Sequence, residues 1–322
     1  MERNSEETIA IDNTSFEDTF ESLVATTGTS TAPAAPVLKK GITEADAALT
    51  AAVESGDKEK IEKAASEAFG TRQWADQTIN IISGCKVGCL GCFAAEIAYR
   101  YKRVAAGEWT KEKLNERALD AKVPSGHKLT MFPSAHNISP EFLEPCEKKI
   151  QQILDSGSDI LIVIKPWRVV VESICARFAL YKDRIIFRFT IGSNDNEVLK
   201  FWEPGGPSFE ERLDCLKYAY DHGFETSVSC EPCWGGDVDG LIATLKPYTT
   251  DSIWIGKMNM GKARMKVNGY WNAETEAKHN ELMAWYSDEN MIALYNRYKN
   301  DPTIRWKESI AKVVGKRGDC KD

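Results

Sequence analysis

The spacing of hydrophobic positions along the chain changes near residue 75. Before it, residues 42–70 carry apolar side chains at helical spacing, interrupted at Ser55, Gly56 and Asp57, and this pattern predicts a small helical hairpin. After it, short apolar runs alternate with amphipathic stretches, as expected for strands alternating with helices. The predicted strands cover residues 78–83, 128–132, 159–164, 184–191, 225–230, 252–255 and 303–306. The predicted helices cover residues 93–106, 140–156, 168–181, 208–222, 238–245 and 275–298.

Regular alternation of strands and helices predicts a parallel sheet with right-handed crossovers. A complete eight-unit barrel takes about 250 residues, whereas residues 75–310 carry six clear units. We therefore expect an α/β chain folded as a partial (β/α)6 TIM-like barrel. Enzymes of this architecture place their chemistry on the loops after the strand carboxyl ends.

The flanks of the predicted barrel have a different character. Residues 26–36 are rich in Ser, Thr, Ala and Pro, a composition that cannot bury a core, so residues 1–41 are predicted to form a disordered tail. Residues 42–74 are predicted to form a helical extension. Residues 75–310 then form the barrel, and residues 311–322 form a C-terminal tail.

The composition narrows the function classes. The chain has 322 residues, 43% of them hydrophobic, and a formal net charge of −7, so it is not a general coat for nucleic acid. No apolar run approaches the roughly 20 residues of a membrane span, and the polar, acidic N-terminus does not resemble a secretory signal. We therefore expect a cytoplasmic protein without a membrane partner. A basic run after the sixth strand either touches phosphates or forms a solvated loop; its members are Lys257, Lys262, Arg264 and Lys266.

Nine cysteines are more than packing requires in this chain, and their odd number excludes complete internal pairing. In a reducing compartment, cysteines that cluster are predicted to bind metal. Cys85, Cys89 and Cys92 follow the first predicted strand in a glycine-rich loop with the spacing C-x3-C-x2-C. A [4Fe–4S] cluster has four ligand positions, so three local thiolates would leave one iron open to a substrate or cofactor.

A structural zinc site is the alternative interpretation of the same three cysteines. It needs a fourth ligand, which Cys230 or Cys233 would supply. The supply of three local ligands and the position of the loop favour the cluster. Three further cysteines fall on predicted helices and are interpreted as packing residues: Cys146, Cys175 and Cys215.

The cysteine spacing after a first strand resembles that of the radical S-adenosylmethionine (SAM) superfamily. The resemblance implies a [4Fe–4S] cluster whose fourth iron is chelated by the amino and carboxylate groups of SAM. It implies one-electron cleavage of SAM to a 5′-deoxyadenosyl radical that abstracts hydrogen from substrate, with a reductant such as a flavodoxin or ferredoxin. In that family an aromatic residue commonly precedes the third cysteine, whereas here Gly91 precedes it and Phe93 follows it.

Further segments resemble the spore photoproduct lyase-like branch and a phage-associated radical SAM group. They are residues 164–166 (IKP), 189–193 (FTIGS), 202–208 (WEPGGPS), 223–224 (GF) and 229–232 (SCEP). By that likeness Ser134 and His136 stand where the family binds the SAM amino group, although the usual Gly-Gly-Glu is absent. The resemblance also implies SAM-supporting roles for four residues: Lys165 at the carboxylate, Ser193, and Glu203 with Arg212 near the ribose and methionyl end.

Each of these residues has a plainer interpretation. Lys165 also fits a solvated strand end, and Glu203 with Arg212 fits a surface ion pair. His136 also fits a structural role, since a lone histidine is more often structural. Trp254 is interpreted as barrel core rather than as a stacking platform.

The substrate is the least determined part. The lyase branch repairs a thymine dimer with a cysteine as hydrogen donor, so Cys230 and Cys233, expected to face the cavity, are candidate donors. They equally fit a second metal centre or buried thiols. The first hypothesis is a radical SAM enzyme acting on an unidentified substrate, with nucleic acid one possibility. The second is the same chemistry on a small metabolite or peptide, and the third is a zinc-stabilised barrel or binding module without redox chemistry.

Overall fold

The computed structural model describes residues 43–316. At its centre is a seven-stranded sheet, curled into a half barrel, in which every neighbouring pair is parallel. Its strands, in order across the sheet, are β1 (Gln77–Thr78), β4 (Leu129–Met131), β5 (Asp159–Ile164), β6 (Ile185–Thr190), β7 (Glu225–Cys230), β8 (Ile253–Ile255) and β9 (Ile304–Trp306). A separate antiparallel pair joins β2 (Ile82–Ser83) to β3 (Lys113–Leu114).

Thirteen α-helices lie within the described residues. Two precede the sheet, α1 (Glu44–Ser55) and α2 (Lys58–Glu67). The others are α3 (Phe93–Arg100), α4 (Glu116–Asp120), α5 (Leu143–Asp155), α6 (Arg168–Arg177), α7 (Asn196–Trp202), α8 (Phe209–Asp221), α9 (Val238–Leu245), α10 (Gly261–Val267), α11 (Ala273–Trp285), α12 (Asp288–Tyr298) and α13 (Glu308–Lys316). The expected partial barrel is therefore confirmed, with seven parallel strands.

The two faces of the sheet carry different residues because strand side chains alternate. Ile160 and Ile162 of β5 pack in the large core against the helices. Leu161 belongs to a smaller inner cluster that also contains Trp254, with Val163 packed against it. Trp254 is 1% exposed and meets Trp74 edge-on at 5.8 Å, so it is barrel core as expected.

Several boundaries differ from the sequence prediction. The predicted strand 78–83 is two short strands, and only the first joins the main sheet. The predicted helix 275–298 is broken because the Ser287 side chain accepts a hydrogen bond from the amide of Asn290 and caps a new helix. The sequence pattern also missed α4 and α7. The basic run after β8 contains a helix, α10, instead of a loop.

The helical extension packs along the β9 edge of the sheet. The Gln73 side-chain amide donates to the carbonyl of Trp306 (3.0 Å) and to the Asp46 carboxylate (2.9 Å). Ala311 of α13 joins the apolar cluster of α1 and α2. Residues 311–316 are therefore part of a packed helix, contrary to the predicted C-terminal tail. The predicted tail at residues 1–41 and the end of the second at 317–322 lie outside the described residues.

Candidate functional site

The cysteine loop runs from β2 to α3 and is fastened by distant segments. The amide of Leu90 donates to the carbonyl of Trp202 (3.0 Å). Asn268, after α10, donates its side-chain amide to the carbonyls of Leu90 (3.1 Å) and Cys92 (3.0 Å). Cys92 is the N-cap of α3, and its Sγ accepts a hydrogen bond from the amide of Ala95 (3.4 Å). These hydrogen bonds within the protein therefore fix the conformation of the loop.

Two glycines of the loop lie in close contact with other segments. Gly84 has a φ of 100°, in the left-handed region, and a Cβ there would lie 2.8 Å from the carbonyl oxygen of Trp109. At Gly91 the terminal methyl of Met258 occupies the place that a Cβ would take. This explains the missing aromatic before Cys92, because Met258 fills the space beside that position.

A cavity of about 540 Å³ lies at the carboxyl ends of the parallel strands. It brings together seven of the predicted site residues: Cys85, Cys89, Cys92, Ser134, His136, Lys165 and Glu203. Its lining does not include four others, which are Ser193, Arg212, Cys230 and Cys233. The cysteine loop and the proposed SAM-binding strand ends thus share one cavity, as barrel enzymes arrange their active sites.

Glu203 lies between two cations inside this site. Its Oε2 is 2.6 Å from Nη1 of Arg212, and its Oε1 is 3.7 Å from Nζ of Lys165. The Glu203 and Arg212 side chains are 1% and 0% exposed, so the surface ion pair considered above is excluded. Burial alone would raise the pKa of Glu203, but the charges of Lys165 and Arg212 lower it overall, so this carboxylate stays ionised.

Lys165 lies beside the Glu203–Arg212 ion pair and is held as a cation. Its side chain is 19% exposed, so its ammonium still faces the cavity. Burial would lower its pKa, but the negative charge that Cys89 carries when deprotonated and the charge of the Glu203 carboxylate raise it. A buried ammonium that already has one carboxylate partner can accept a second anion, such as a ligand carboxylate.

Arg212 and Ser193 act from outside the cavity. The Arg212 guanidinium donates to the carbonyls of Pro207 (2.9 Å) and Thr190 (3.0 Å) as well as pairing with Glu203. Ser193 accepts a hydrogen bond from the amide of Asp195 (3.0 Å) in the turn before α7. Arg212 therefore positions Glu203, while Ser193 shapes a turn.

Two asparagines that the sequence analysis missed brace the ligand-facing loops. The Asn80 side chain accepts from the amides of Ser134 (2.9 Å) and Ala135 (2.7 Å) and donates to the Ser134 hydroxyl (2.8 Å). Asn137 accepts from the amide of Lys165 (3.0 Å) and donates to its carbonyl (2.7 Å). Asn80 falls inside the predicted strand 78–83 and Asn137 in the loop after the predicted strand 128–132, and neither carries a local sequence signal for this role.

His136 lines the cavity, but both ring nitrogens are occupied by the protein. Nδ1 donates to the carbonyl of Asn137 (2.7 Å), and Nε2 accepts from the amide of Ile81 (3.2 Å). Burial lowers its pKa to about 4, which keeps the ring neutral. The geometry therefore supports the plainer interpretation, a histidine that joins the first strand segment to the second loop.

Cys230 and Cys233 do not face the cavity, and that expectation is wrong. Cys230 alternates with the cavity-lining Ser229 and Glu231, and its Sγ donates to the carbonyl of Ile191 (3.0 Å). Both thiols are 1% exposed and belong to the large core. A role as hydrogen donor stays a prediction without support from this geometry.

A second charged group lines the cavity and was not predicted. The Lys307 ammonium lies 3.6 Å from Glu231 and 3.5 Å from Glu308, and it sits 4.3 Å from the centre of the Trp74 ring. It also donates to the carbonyl of Gly70 (3.0 Å) in the helical extension. The extension thus supplies part of the cavity wall.

The three thiols of the loop line the cavity together, and each has to lose a proton before it can bind a metal. Burial raises the pKa of Cys85 to about 12 and also raises those of Cys89 and Cys92, so iron would have to displace their protons. Within residues 43–316 no three His, Cys, Asp or Glu side chains converge on a single-metal site. A cubane cluster takes each of three thiolates on a separate iron and leaves the fourth iron open to a ligand.

Comparisons with known proteins add to this geometry. The family model described as "Radical SAM superfamily" matches residues 79–239, half of the chain. Uncharacterized protein ORF301 of Acidianus two-tailed virus is 26% identical over 171 residues, which cover 49% of this chain and 55% of that protein. Uncharacterized protein MJ0683 of Methanocaldococcus jannaschii is 25% identical over 182 residues, covering 54% of this chain and 68% of that protein. The chain thus spans about half the length of the viral relative.

Solved structures with a similar fold are more distant. A spore photoproduct lyase variant with bound AdoMet and dinucleoside spore photoproduct has a TM-score of 0.47 and 14% identity, covering 72% of this chain and 76% of that one. SuiB of Streptococcus suis bound to S-adenosylmethionine has a TM-score of 0.42 and 11% identity, covering 77% and 55%. Among the described helices, none is long and apolar enough to cross a membrane.

Proposed function

Because this chain belongs to the radical SAM superfamily, whose members use a [4Fe–4S] cluster and SAM, we propose that Cys85, Cys89 and Cys92 hold the cluster and that Lys165 holds the carboxylate of SAM. When bound, this pair of cofactors supplies a 5′-deoxyadenosyl radical, by one-electron cleavage of SAM, for hydrogen abstraction from a substrate. The one-electron reductant is a low-potential carrier such as a flavodoxin or ferredoxin.

The observation that carries the proposal is that the three cysteines share one cavity with the Lys165–Glu203 pair. Lys165 faces the cavity as a cation and suits a carboxylate ligand. Glu203, itself held by Arg212, keeps that ammonium in place. The Ser134 loop, fixed by Asn80, would receive the amino group of SAM, since its hydroxyl can still accept a hydrogen bond.

The burial of these groups also serves the chemistry. Thiolates and an ion pair in a cavity shielded by protein interact more strongly than they would in water. A reactive carbon radical also needs water and stray hydrogen donors kept away from it. The chain's own part is therefore to bind, orient and shield, and the electron and the radical come from the cofactors.

The test is anaerobic reconstitution with iron and sulfide, followed by metal analysis and an absorption spectrum. We expect about four irons per chain, in the ratio of a cubane cluster, and formation of 5′-deoxyadenosine from SAM under reducing conditions. A Cys89→Ala variant should lose both, while a Cys146→Ala variant, altered at a core cysteine, should keep both. One zinc and no iron, or SAM cleavage by the Cys89→Ala variant, would contradict the proposal.

A further inference from the structure

We propose that the mouth of the cavity is a binding subsite for a planar ring that carries an anionic group, either a phosphate or a carboxylate. The inference rests on the proposed function, because it concerns the substrate of the same cavity. It depends on two aromatic rings and two guanidinium groups that the cofactor assignment does not use: Phe69, Phe93, Arg72 and Arg264.

The aromatic rings mark the opening of the cavity. Phe69, just before the short helix Gly70–Gln73, is 47% exposed, and Phe93, the first residue of α3, is 40% exposed. Ile97, one turn further along α3, is 38% exposed. All three line the cavity, so they lie where it meets solvent. Exposed aromatic faces at a cavity mouth favour contact with the face of a planar ligand.

Arg264 supplies a cation that makes no direct ion pair within the described residues. It lines the cavity from α10, and its guanidinium carbon lies 5.9 Å from the centre of the Phe93 ring. Among residues 43–316 its guanidinium makes no ion pair within 4 Å and no hydrogen bond, although the charges of Glu96, Cys92 and Glu231 act on it from further away. A guanidinium is always charged and carries five donors, so the cavity-lining Arg264 has donors that the protein leaves unpaired and that an anionic ligand can accept from.

Arg72 supplies a second, exposed guanidinium to the lining of the cavity. Its Nη2 donates to the carbonyl of Ser66 (3.2 Å) and its Nε to the carbonyl of Phe69 (3.5 Å), which fixes the side chain while leaving Nη1 able to donate. It lies three residues after Phe69 and lines the cavity as well. Each exposed ring at the mouth thus has a cation near its face, Arg264 at Phe93 and the Lys312 ammonium 5.8 Å from the centre of the Phe69 ring, and Arg72 adds a further positive charge to the lining. This pairing suits a ligand that offers a flat face and a negative charge together.

The experiment is calorimetric titration of the full, cluster-loaded and oxidised protein with SAM at saturation, so that the cofactor site is filled and no turnover occurs. The probes are uridine monophosphate, which has a ring and a phosphate, indole-3-acetate, which has a ring and a carboxylate, uridine alone and inorganic phosphate alone. We expect at least one of the first two to bind about tenfold more tightly than uridine or phosphate. Titration with a uridine octamer then compares a polymer with the free mononucleotide. Tighter binding of the octamer favours a polymer as the ligand, and tighter binding of the mononucleotide favours a small molecule.

Variants test the assignment. Arg264→Gln should weaken the preferred probe on the order of tenfold, since hydrogen bonds to charged groups are the strong ones. Phe93→Leu should weaken both ring probes several-fold. Lys299→Gln removes an exposed cation after α12 and should change nothing. Where Arg264→Gln lowers iron content or the melting temperature, Arg264→Lys, which keeps the charge, replaces it and should lose part of the affinity.

The outcomes separate this inference from the proposed function. Equal binding of uridine and uridine monophosphate together with no binding of indole-3-acetate, or affinities unchanged by Arg264 substitution, would overturn the subsite. Wild-type enzyme that cleaves SAM yet shows either result contradicts only the subsite. Wild-type enzyme that never yields 5′-deoxyadenosine contradicts the proposed function itself.

Discussion

The terminal methyl of Met258 occupies the space beside Gly91 that any larger residue would need. Met258 comes from the loop after β8, and Gly91 precedes the last cysteine of the cluster motif. The contact joins two loops that are far apart in sequence. Any side chain at position 91 would have to displace the flexible end of Met258.

This contact predicts a specific pattern of stability. Gly91→Ala should destabilise the protein by about 1 kcal/mol, at the low end for an inserted methyl, because the flexible end of Met258 can shift to make room. Met258→Ala leaves a cavity and should also destabilise. The double variant should be more stable than the sum of the two effects allows, since the new methyl enters the vacated space. Denaturant unfolding of the four proteins measures the coupling, and strict additivity would contradict the packing argument.

The buried ion pair of Glu203 and Arg212 predicts a larger effect. Glu203→Gln leaves the buried Arg212 without its counter-charge and should cost about 3–5 kcal/mol of unfolding free energy. It should also weaken SAM binding, because Lys165 loses the partner that holds its ammonium. Glu197→Gln, at an exposed position of α7, is the control. A Glu203→Gln variant as stable as the wild type would show that Arg212 does not need this carboxylate as its counter-charge, and it would contradict the prediction.

Asn80 is predicted to act as a positioning residue for SAM. Asn80→Ala removes three hydrogen bonds to the Ser134 loop and should raise the KM for SAM on the order of tenfold, with a smaller effect on kcat. Asn80→Asp keeps the acceptor for both amides and should recover part of the affinity. Asn290→Ala, on the surface of α12, serves as the control. Iron content must be equal throughout, and a KM that does not change would contradict the role.

His136 predicts a pH dependence of stability. Its pKa falls from 6.5 to about 4 on folding because of burial. The unfolded chain therefore binds the proton first as pH falls, so this contribution is fully present above pH 6.5 and is lost progressively toward pH 4. His136→Gln should remove that part of the slope relative to wild type. Urea unfolding from pH 7.5 to 4 measures it, and parallel curves for the two proteins would refute the assignment.

The sequence predicts which segments are strands, and the alternation of residues along a strand also predicts which face of the sheet each side chain occupies. The expectation for Cys230 did not follow that alternation. The runs at 159–164 and 225–230 were predicted with the observed bounds; Ile, Leu and Val fill five of the six positions of the first run, and the second follows the helix stop at Gly223. The order Ser227, Val228, Ser229, Cys230 already places Cys230 on the same face as Val228, away from the serines. Strict alternation would therefore have excluded it from the cavity.

The contacts between distant segments could not be predicted in this way. Asn80 reaches Ser134 across 54 residues, and Lys307 reaches Gly70 across 237. Nothing local distinguishes these side chains from solvated ones, because their partners are set by how the sheet curls. The same holds for Met258 and Gly91. The roles of such residues can be recognised only in the folded structure, where the strand ends of the barrel come together.

The hydrogen bond from Gln73 to the carbonyl of Trp306 spans 233 residues and joins the helical extension to the last strand. During synthesis the extension and the cysteine loop therefore leave the ribosome long before β9 exists to receive them. The apolar face of the hairpin, which packs on α13, therefore stays exposed until α13 has been synthesised. If iron were inserted before residues 304–316 had been synthesised, the wall of the cavity would still be incomplete. We therefore expect cluster insertion to follow translation.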